Sequence, residues 1–397
     1  MMFKFGLKNL KHNLLMNILI ILQMTVVFII AVFMSSTIVS RFQLYTPIKD
    51  KLNSNGYFYY VSNAINPETN LALRSTDELY ELLDQPKDIV ATYNVWLSYG
   101  TDNINCISYD DEFIEMFTPE LEEGTWFDFN KDASEYIPVV ISQNPYNFNV
   151  GDIIELDNFG FGVNAEIIGI LKENSKIIGF SNSENGKNDF RSTYINYNYE
   201  IEELPLFIFC QKDLISKNIT MQLNGPVFVT YSDIIDDIIL ESNNSTMNRM
   251  MTLSKTRLDE MKSNSLEYIF SQIYTLFPIM ICILIFTLVG TISVNALSAK
   301  KQLRNYAVYY ICGLKWKQCA MINFISSLIS VLTSFILSMI ILLVMKHLNF
   351  LGNTVVKTGV WQFLVCLILI AVYLLFSIIL PLNIIGKTTP SQILKTN

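Results

Sequence analysis

Two adjacent stretches decide the fold: YIFSQIYTLFPIMICILIFTLVGTISVNALSA at residues 268–299 and KKQLRNYAVYYICGLKWK at residues 300–317. The first has 32 residues and no charged side chain, whereas a helix needs only about 20 apolar residues to cross the hydrocarbon core of a bilayer. The second has five basic residues and no acidic one. Because lysine and arginine in short loops stay on the cytoplasmic side, the two stretches predict a membrane helix followed by a cytoplasmic loop.

Three more uncharged stretches predict three further membrane helices, at residues 13–40, 318–345 and 358–386. The first stretch is longer than the apolar run of about 7–15 residues in a signal peptide, and no A-x-A-like site follows it, so we expect an uncleaved anchor. Flanking lysines indicate that both termini are cytoplasmic and, by parity, that the connection at 346–357 lies outside. These lysines are Lys4, Lys8, Lys11, Lys387 and Lys395.

The segment between the first two membrane helices differs in charge from its flanks. Residues 41–267 carry 36 acidic and 16 basic residues, a net charge of −20, and the flanks carry no acidic residue. This pattern predicts a large acidic extracytoplasmic domain at 41–267. It excludes a single soluble globule, a coiled coil, a disordered chain and a protein that binds nucleic acid.

The extracytoplasmic domain is predicted to be mixed α and β. Helices are predicted at 75–83, where Ser75 is a candidate cap with Glu78 three residues later, and at 111–117. Apolar spacings of three and four after residue 232 predict a stalk helix that runs into the second membrane helix, loosened at 242–245; two separate surface helices are the alternative. Runs of β-branched and aromatic residues predict strands at 57–61, 89–93, 137–141, 153–156, 165–170, 206–209 and 227–231.

Residue types that carry chemistry are scarce. The two histidines, His12 and His347, lie at predicted membrane boundaries, so no catalytic triad can be assembled in the acidic domain. Acidic clusters at 110–112 and 120–123 are interpreted as solvated loop or helix-start acids, with calcium binding or acid–base catalysis as alternatives. Cys106 and Cys210 either form a disulfide or stay free. We therefore expect no enzyme activity, no cofactor and no metal site.

The order of these segments resembles the MacB/FtsX-like permease family of ABC transporters, and four stretches carry the resemblance. FGLKNLKHN at 5–13 is similar to the family's amphipathic helix on the inner membrane surface, and TPSQILK at 389–395, after Pro381, resembles its ending. RNYAVYYICGLKWK at 304–317 is similar to the loop that contacts the ATPase, although Asn305 and Tyr310 depart from the usual Glu and Arg. FIEMF, EG, PVVIS, VGD and IIGI, between 113 and 170, follow the order of the family's periplasmic core.

The predicted architecture is four transmembrane α-helices plus a mixed α/β extracytoplasmic domain between helices 1 and 2. In order, the segments are an amphipathic cytoplasmic helix (1–12), helix 1 (13–40), the extracytoplasmic domain with its stalk (41–267), helix 2 (268–299), a cytoplasmic coupling loop (300–317), helix 3 (318–345), an outer loop (346–357), helix 4 (358–386) and a cytoplasmic tail (387–397).

The resemblance implies a permease subunit of the cell membrane that transmits the motion of a separate ATPase to its outer domain. ATP would bind to that partner, and a second permease copy would complete the complex. The domain with a net charge of −20 would attract a cationic peptide, which fits export of, or resistance to, a peptide or another amphipathic compound; alternatively, the charge only keeps the domain soluble. A membrane receptor, an activator of cell-wall hydrolases and a contact with an extracytoplasmic accessory protein are alternatives. The implied ATPase-coupling residues are Arg304, Asn305, Tyr306, Gly313, Lys315 and Lys317, with simple interfacial anchoring of this loop as the plainer interpretation.

Overall fold

The computed structural model describes Gly6, Leu10 and a long continuous part of the chain with short gaps. That part is residues 14–386, except 62–74, 129–134, 143, 145, 174, 182–186, 197–204, 220, 251–252 and 348–358. The predicted amphipathic helix at 1–12, apart from Gly6 and Leu10, most of the outer loop at 346–357 and the tail at 387–397 lie outside the described residues. The chain divides into two compact units, a membrane unit of Met1–Phe42 with Ile269–Asn397 and a sheet unit of Gln43–Tyr268.

The described elements run in the following chain order. The helices are α1 (Leu14–Leu52), α2 (Thr76–Leu82), α3 (Asp111–Met116), α4 (Gln211–Ser216), α5 (Asp237–Met250), α6 (Leu258–Ile311), α7 (Trp316–His347) and α8 (Val360–Gly386), with a 3-10 turn at Phe190–Thr193. The strands are β1 (Asn55–Val61), β2 (Asp88–Val95), β3 (Ser98–Tyr99), β4 (Asp102–Asn103), β5 (Asn105–Tyr109), β6 (Leu121–Gly124), β7 (Ile137–Ile141), β8 (Ile153–Asn158), β9 (Phe161–Leu171), β10 (Lys176–Ile178), β11 (Tyr194–Asn196), β12 (Leu206–Cys210), β13 (Met221–Tyr231) and β14 (Leu253–Arg257).

Four of the described helices are long and apolar enough to cross a membrane, in agreement with the four that the sequence predicts. These spans are Leu14–Leu52, Leu258–Ser298, Met321–Met345 and Val360–Ser377. The helices extend beyond the uncharged stretches, since α1 continues past Arg41 and α6 continues past Lys300. Lysine and arginine are good helix formers, so a charge that ends a hydrophobic run does not end the helix.

Aromatic rings and serines pack α1, α7 and α8 together in the membrane unit. Phe335 lies edge-on to Phe28, with ring centroids 5.7 Å apart, and to Phe363 at 6.0 Å. The buried Ser330 and Ser334 hydroxyls of α7 each donate to the carbonyl oxygen four residues earlier, at 3.1 and 2.7 Å. Small side chains of this kind let helices approach closely. Because the hydroxyl groups of these serines already form hydrogen bonds within their own helix, their contribution between helices is close packing.

The sheet unit is built on one large mixed sheet. Its strand order is β14-β1-β13-β2-β5-β12-β7-β9-β8-β3-β4, with β6 paired to β9, and β10 and β11 form a separate pair. Most neighbours are antiparallel, but β5 pairs with β12 and β7 with β9 in parallel. Parallel neighbours need a crossover connection instead of a tight turn, so these strands are joined through long segments of chain.

Both faces of the central strands are covered, as side chains alternate along each strand. One face of β13 presents Val227 and Val229 to a core that also includes Leu79 of α2, Leu214 of α4 and Met247 of α5. The other face presents Phe228, whose ring centroid lies 5.1 Å from that of Phe58 and 6.0 Å from that of Phe113 in α3. Short helices therefore close the sheet on its two sides.

The predicted strands and short helices of the sheet unit are confirmed. Each of the seven predicted strands overlaps an observed one, namely β1, β2, β7, β8, β9, β12 and β13. Ser75 caps α2 as predicted, because its hydroxyl accepts the Glu78 N–H at 3.3 Å. Asp110 caps α3 by accepting the Glu112 N–H at 3.1 Å.

The predicted stalk helix is wrong before residue 258, whereas its unbroken continuation into the second membrane helix is confirmed by α6, which runs from Leu258 to Ile311. Strand β14 separates α5 from α6 and pairs antiparallel with β1, from Tyr57 opposite Arg257 to Val61 opposite Leu253. Met247, Leu258 and Met261 are buried, whereas Ile234 and Ile238 are exposed. The apolar spacing therefore marked core positions between 247 and 261 but failed at 234 and 238, and it assigned the whole region to one helix. The physical reason is tertiary, since β1 needs a second partner strand and the segment that supplies it lies nearly 200 positions away in the sequence.

Candidate functional site

The predicted coupling segment forms the end of α6 and the turn after it. Helix α6 continues to Ile311, and Gly313 has a φ of +96°. The Gly313 N–H donates to the Tyr310 carbonyl and the Leu314 N–H to the Tyr309 carbonyl, both at 3.0 Å. This pair of bonds is the Schellman motif, which needs a left-handed residue after the helix. The expectation that the helix ends at Gly313 therefore agrees with the backbone.

The next helix follows almost at once. α7 begins at Trp316, and the Lys315 N–H donates to the Gln318 Oε1 at 2.8 Å. Gln318 thus returns to the backbone in front of the helix, which is one half of a capping box. Both ends of this connection are fixed by hydrogen bonds, so α6 and α7 are joined by a short, defined turn.

Tyr306 holds the end of α6 from inside. Its side chain is only 1% exposed and packs with Leu303, Tyr309 and Leu314. Leu314 comes after the turn, so this small cluster ties the chain beyond Gly313 back to the helix before it. Tyr306 is one of the predicted coupling residues, and its side chain lies inside this cluster instead of on the exposed surface of the helix end.

The outer face of the same helix end is exposed and mixed in character. Arg304 and Asn305 are exposed, as is Lys315 after the turn. Two apolar residues that the sequence reasoning missed, Val308 and Ile311, share this face, and Ile311 is 64% exposed. Positions 304, 308 and 311 have the spacing of residues on one helix face. This spacing in the sequence is the signal that points to Val308 and Ile311.

The charged side chains of this face are all positive. Residues 268–397 contain no acidic side chain, and within the described part of the chain neither Arg304 nor Lys315 forms an ion pair. Cations near the C-terminal end of a helix are favoured by its dipole, so the helix itself tolerates them there. Lys317, the last of the predicted coupling residues, lies in the first turn of α7 with its side chain outside the described residues.

The acidic clusters at 110–112 and 120–123 include side chains with structural hydrogen bonds or ion pairs. Asp110 accepts a hydrogen bond from Thr76 Oγ1 at 2.6 Å in addition to capping α3, and burial raises the pKa of its carboxyl group. In the second cluster, Glu120 pairs with Lys172 at 3.2 Å. Among the described residues, no group of histidine, cysteine and acidic side chains could hold a metal ion. The helix-start interpretation is therefore confirmed for Asp110.

The two cysteines of the sheet unit are free and buried. They lie on neighbouring parallel strands, but Cys106 is opposite Phe207, and Cys210 is opposite Tyr109. An offset of three residues along a strand is about 10 Å, which is too far for a disulfide. The Cys210 Sγ instead donates to Asp111 Oδ1 at 3.2 Å.

Comparison with solved structures finds similarities confined to part of this chain, and two of the matching structures are described here. The chain is similar to the periplasmic region of MacB from Actinobacillus actinomycetemcomitans, with 11% identity and a TM-score of 0.29 over 56% of this chain and 97% of that one. It is also similar to the extracellular domain of the noncanonic ABC-type transporter YknZ from Gram-positive bacteria, with 16% identity and a TM-score of 0.27 over 50% of this chain and 93% of that one. No protein-family model and no curated protein matches the sequence.

Proposed function

We propose that this chain is the membrane subunit of an ABC transporter and that the exposed end of α6, with the turn at Gly313, docks on a separate cytoplasmic ATPase. The observation that carries the proposal is the exposed face of Arg304, Val308 and Ile311. A partner surface with an apolar groove and acidic rim would complement it, since a mixed patch of this kind is common at transient protein interfaces. The likeness of residues 304–317 to a coupling loop supports the same partner.

Helix α6 is suited to pass on a displacement. It is one helix from Leu258 to Ile311, and it contributes residues to both the membrane unit and the sheet unit. We propose that motion passes along this continuous helix, since packed secondary-structure elements can carry coupling between distant sites. In the proposed orientation the termini and the Gly313 turn are cytoplasmic, and the acidic sheet unit is extracytoplasmic in the cell membrane.

The assembly that we propose contains two permease copies, or this chain with a related permease, and two ATPase subunits. ATP binds to the ATPase, and this chain supplies docking and transmission. The cargo or target that the sheet unit acts on is a peptide or another amphipathic compound, because a domain with a net charge of −20 favours cationic partners.

The test is a site-specific photo-crosslink followed by an activity assay. A photoreactive residue at position 311 should crosslink to a nucleotide-binding ATPase, identified by mass spectrometry. The activity assay uses the complex of that ATPase with this chain in nanodiscs. Ile311→Glu should reduce stimulation of ATP hydrolysis about tenfold or more, because docking on the ATPase would bury the side chain at position 311 and a buried apolar contact would be replaced by a charge.

A matched control separates docking from general surface effects. Ile238→Glu changes an isoleucine that is also well exposed but lies in α5 of the sheet unit, and it should leave stimulation unchanged. Equal stimulation by the parent chain and Ile311→Glu, or a position-311 crosslink confined to lipid, would rule out this docking site.

A further inference from the structure

A short segment of the sheet unit contacts the two helices through which the chain enters and leaves that unit. Residues 188–194 contain the 3-10 turn Phe190–Thr193, and all of them except Arg191 are buried. We call residues 188–194 the helix clamp. The sheet unit begins at Gln43 in α1 and ends at Tyr268 in α6, so a contact near these two residues lies close to both ends of the unit.

The helix clamp contacts α6 through its backbone and through an aromatic ring. The Phe190 N–H donates to Ser265 Oγ at 2.9 Å. The Asn264 side-chain amide donates to the Asn188 carbonyl at 3.0 Å. The Phe190 ring also packs against that of Tyr268, with the centroids 5.9 Å apart. Ser265 is fully buried, so breaking its hydrogen bond would leave a buried donor without a partner, which is costly.

A buried carboxylate in the helix clamp positions a cation against the same helix. The Asp189 carboxylate is buried and accepts Arg191 Nε at 3.1 Å and Nη2 at 2.8 Å. The guanidinium carbon lies 3.7 Å from the centroid of the Tyr268 ring, which is a cation–π contact. Burying a carboxylate is costly, and an ion pair between residues two positions apart joins no distant parts of the chain. Its contribution is therefore the contact with α6.

The helix clamp also contacts α1. The Tyr194 hydroxyl donates to the Leu44 carbonyl at 2.9 Å. The Phe190 ring lies edge-on to that of the buried Tyr45, with the centroids 6.4 Å apart. Phe190 therefore contacts one tyrosine ring of each helix, and its removal would loosen both contacts together.

Each helix is also attached to the sheet unit farther from the ends of that unit. In α1, Lys51 forms ion pairs with two carboxylates of the sheet unit. In α6, the buried Leu258 follows directly on β14. Leu44 and Ser265 lie seven residues from these attachments, which is about 10 Å along each helix. The helix clamp thus gives both helices a second attachment, nearer to the ends of the unit.

The two helices differ in their resistance to bending beside the helix clamp. Pro47 lies inside α1. Because proline has no N–H, α1 lacks the hydrogen bond from position 47 to the carbonyl of Gln43, the first residue of the sheet unit. The proline of α6 is Pro278, which lies in the membrane unit. At the ends of the sheet unit, α1 therefore bends more easily than α6.

We propose that the helix clamp holds the sheet-unit parts of α1 and α6 together as one body, and that α1 bends at Pro47 when α6 is displaced. The sheet unit then follows α6, because Phe190 and Arg191 keep it in contact with that helix. The source of the displacement, the ATPase, rests on the proposed function, whereas the clamp and the bend are measured without it.

The experiment uses the full chain in nanodiscs without ATPase or ATP. Spin labels are attached to an azide-bearing unnatural amino acid at positions 46 and 267, both exposed, and pulsed electron paramagnetic resonance measures the distance between them. The parent chain should give one narrow distance distribution. Asp189→Asn with Arg191→Gln removes both charges and keeps a cap at position 189. This double variant should at least double the width of the distribution, because the cation–π contact is lost.

Two further variants decide the outcome for the clamp. Tyr268→Leu removes the ring that Phe190 and Arg191 contact and should widen the distribution in the same way. The matched control is Glu120→Gln with Lys172→Gln, which removes the charges of an exposed ion pair beside β6 and β9 and should leave the width unchanged. Unchanged width in Tyr268→Leu or in the double variant at 189 and 191, or equal broadening in the control, would overturn the clamp.

Hydrogen exchange tests the bend in α1. Pro47→Ala supplies the missing N–H and should slow amide exchange in residues 43–51 about tenfold, as measured by mass spectrometry. Pro278→Ala should leave exchange in those residues unchanged. Equal exchange in the parent chain and Pro47→Ala would overturn the bend. If position 311 fails to crosslink to an ATPase while the distance distributions behave as expected, the docking proposal alone is wrong.

Discussion

Two turns of this protein each place a residue in the left-handed region of the backbone, and they use opposite residue types there. The turn after α6 places Gly313 at a φ of +96°, and the turn after β8 places Phe159 at +52° and Gly160 at +89°. In the first turn a glycine takes the left-handed position and Tyr306 is buried beneath it. In the second a phenylalanine takes that position and stays in solvent. The first sequence satisfies the needs of its own fold, whereas the second departs from them.

The difference teaches where to look for function in each turn. At the α6 turn the residues that shape the backbone, Gly313 and Tyr306, are distinct from the exposed Val308 and Ile311 that a partner could contact. At the β8 turn the residue that strains the backbone is itself the exposed one. Of the two turns, the hairpin departs more clearly from the residue preferences of its turn type. Because such departures occur mainly at functional sites, the hairpin is the stronger indication of function.

The largest expected effect comes from removing the internal support of the α6 turn. Tyr306→Ala should destabilise the membrane unit by about 3–5 kcal/mol, the usual loss for a large buried aromatic side chain. Thermal unfolding in detergent measures the change, with Tyr306→Phe as the control that keeps the ring. An unfolding temperature equal to that of the parent chain would show that the cluster with Leu303 and Leu314 does not hold the turn.

A smaller effect is expected from the backbone of the same turn. Gly313→Ala should cost about 1–2 kcal/mol from the left-handed conformation alone, because a Cβ there meets no atom within 4 Å. Gly313→Asn should cost less, since asparagine tolerates positive φ. Unfolding curves of the two variants test the order, and an asparagine variant less stable than the alanine variant would contradict a purely conformational cost.

The smallest effect is expected at the β8 turn, and its sign is reversed. Phe159→Asn should stabilise the sheet unit by about 0.5–1 kcal/mol, because it relieves strain in a type I′ turn. Phe161→Ser, in the adjacent strand position, should change stability by less than about 0.5 kcal/mol. Denaturant midpoints of the two variants provide the comparison; a destabilised Phe159→Asn would mean that the phenyl ring serves the fold after all.

Much of the fold could be predicted from local pattern. Uncharged runs marked the four apolar helices, and runs of β-branched and aromatic residues marked strands such as β7 and β13. The stalk region failed because β14 is defined by its pairing with β1, and no periodicity within residues 247–261 reveals a partner so distant in sequence. Two-residue strands such as β3 are below the length that any pattern can mark.

The candidate site was predictable in place but not in detail. Basic residues and Gly313 located the turn, because charge and glycine are visible in sequence. The sequence does not show which residues of the turn are buried and which are exposed. Tyr306 and Tyr310 are the same residue type, yet Tyr306 is buried and Tyr310 is exposed. The hairpin was predicted only as two strands, at 153–156 and 165–170. Its strained phenylalanine becomes apparent only when the Asn158–Phe161 pairing fixes the turn type.

The free cysteines of the sheet unit determine how this part of the protein responds to oxidants. Thiol oxidation begins with the thiolate, and burial raises the pKa of both Cys106 and Cys210, with Asp111 adding to the effect at Cys210. Each sulfur therefore stays protonated and out of reach of oxidants at neutral pH. Folding therefore protects both thiols of the sheet unit from oxidation.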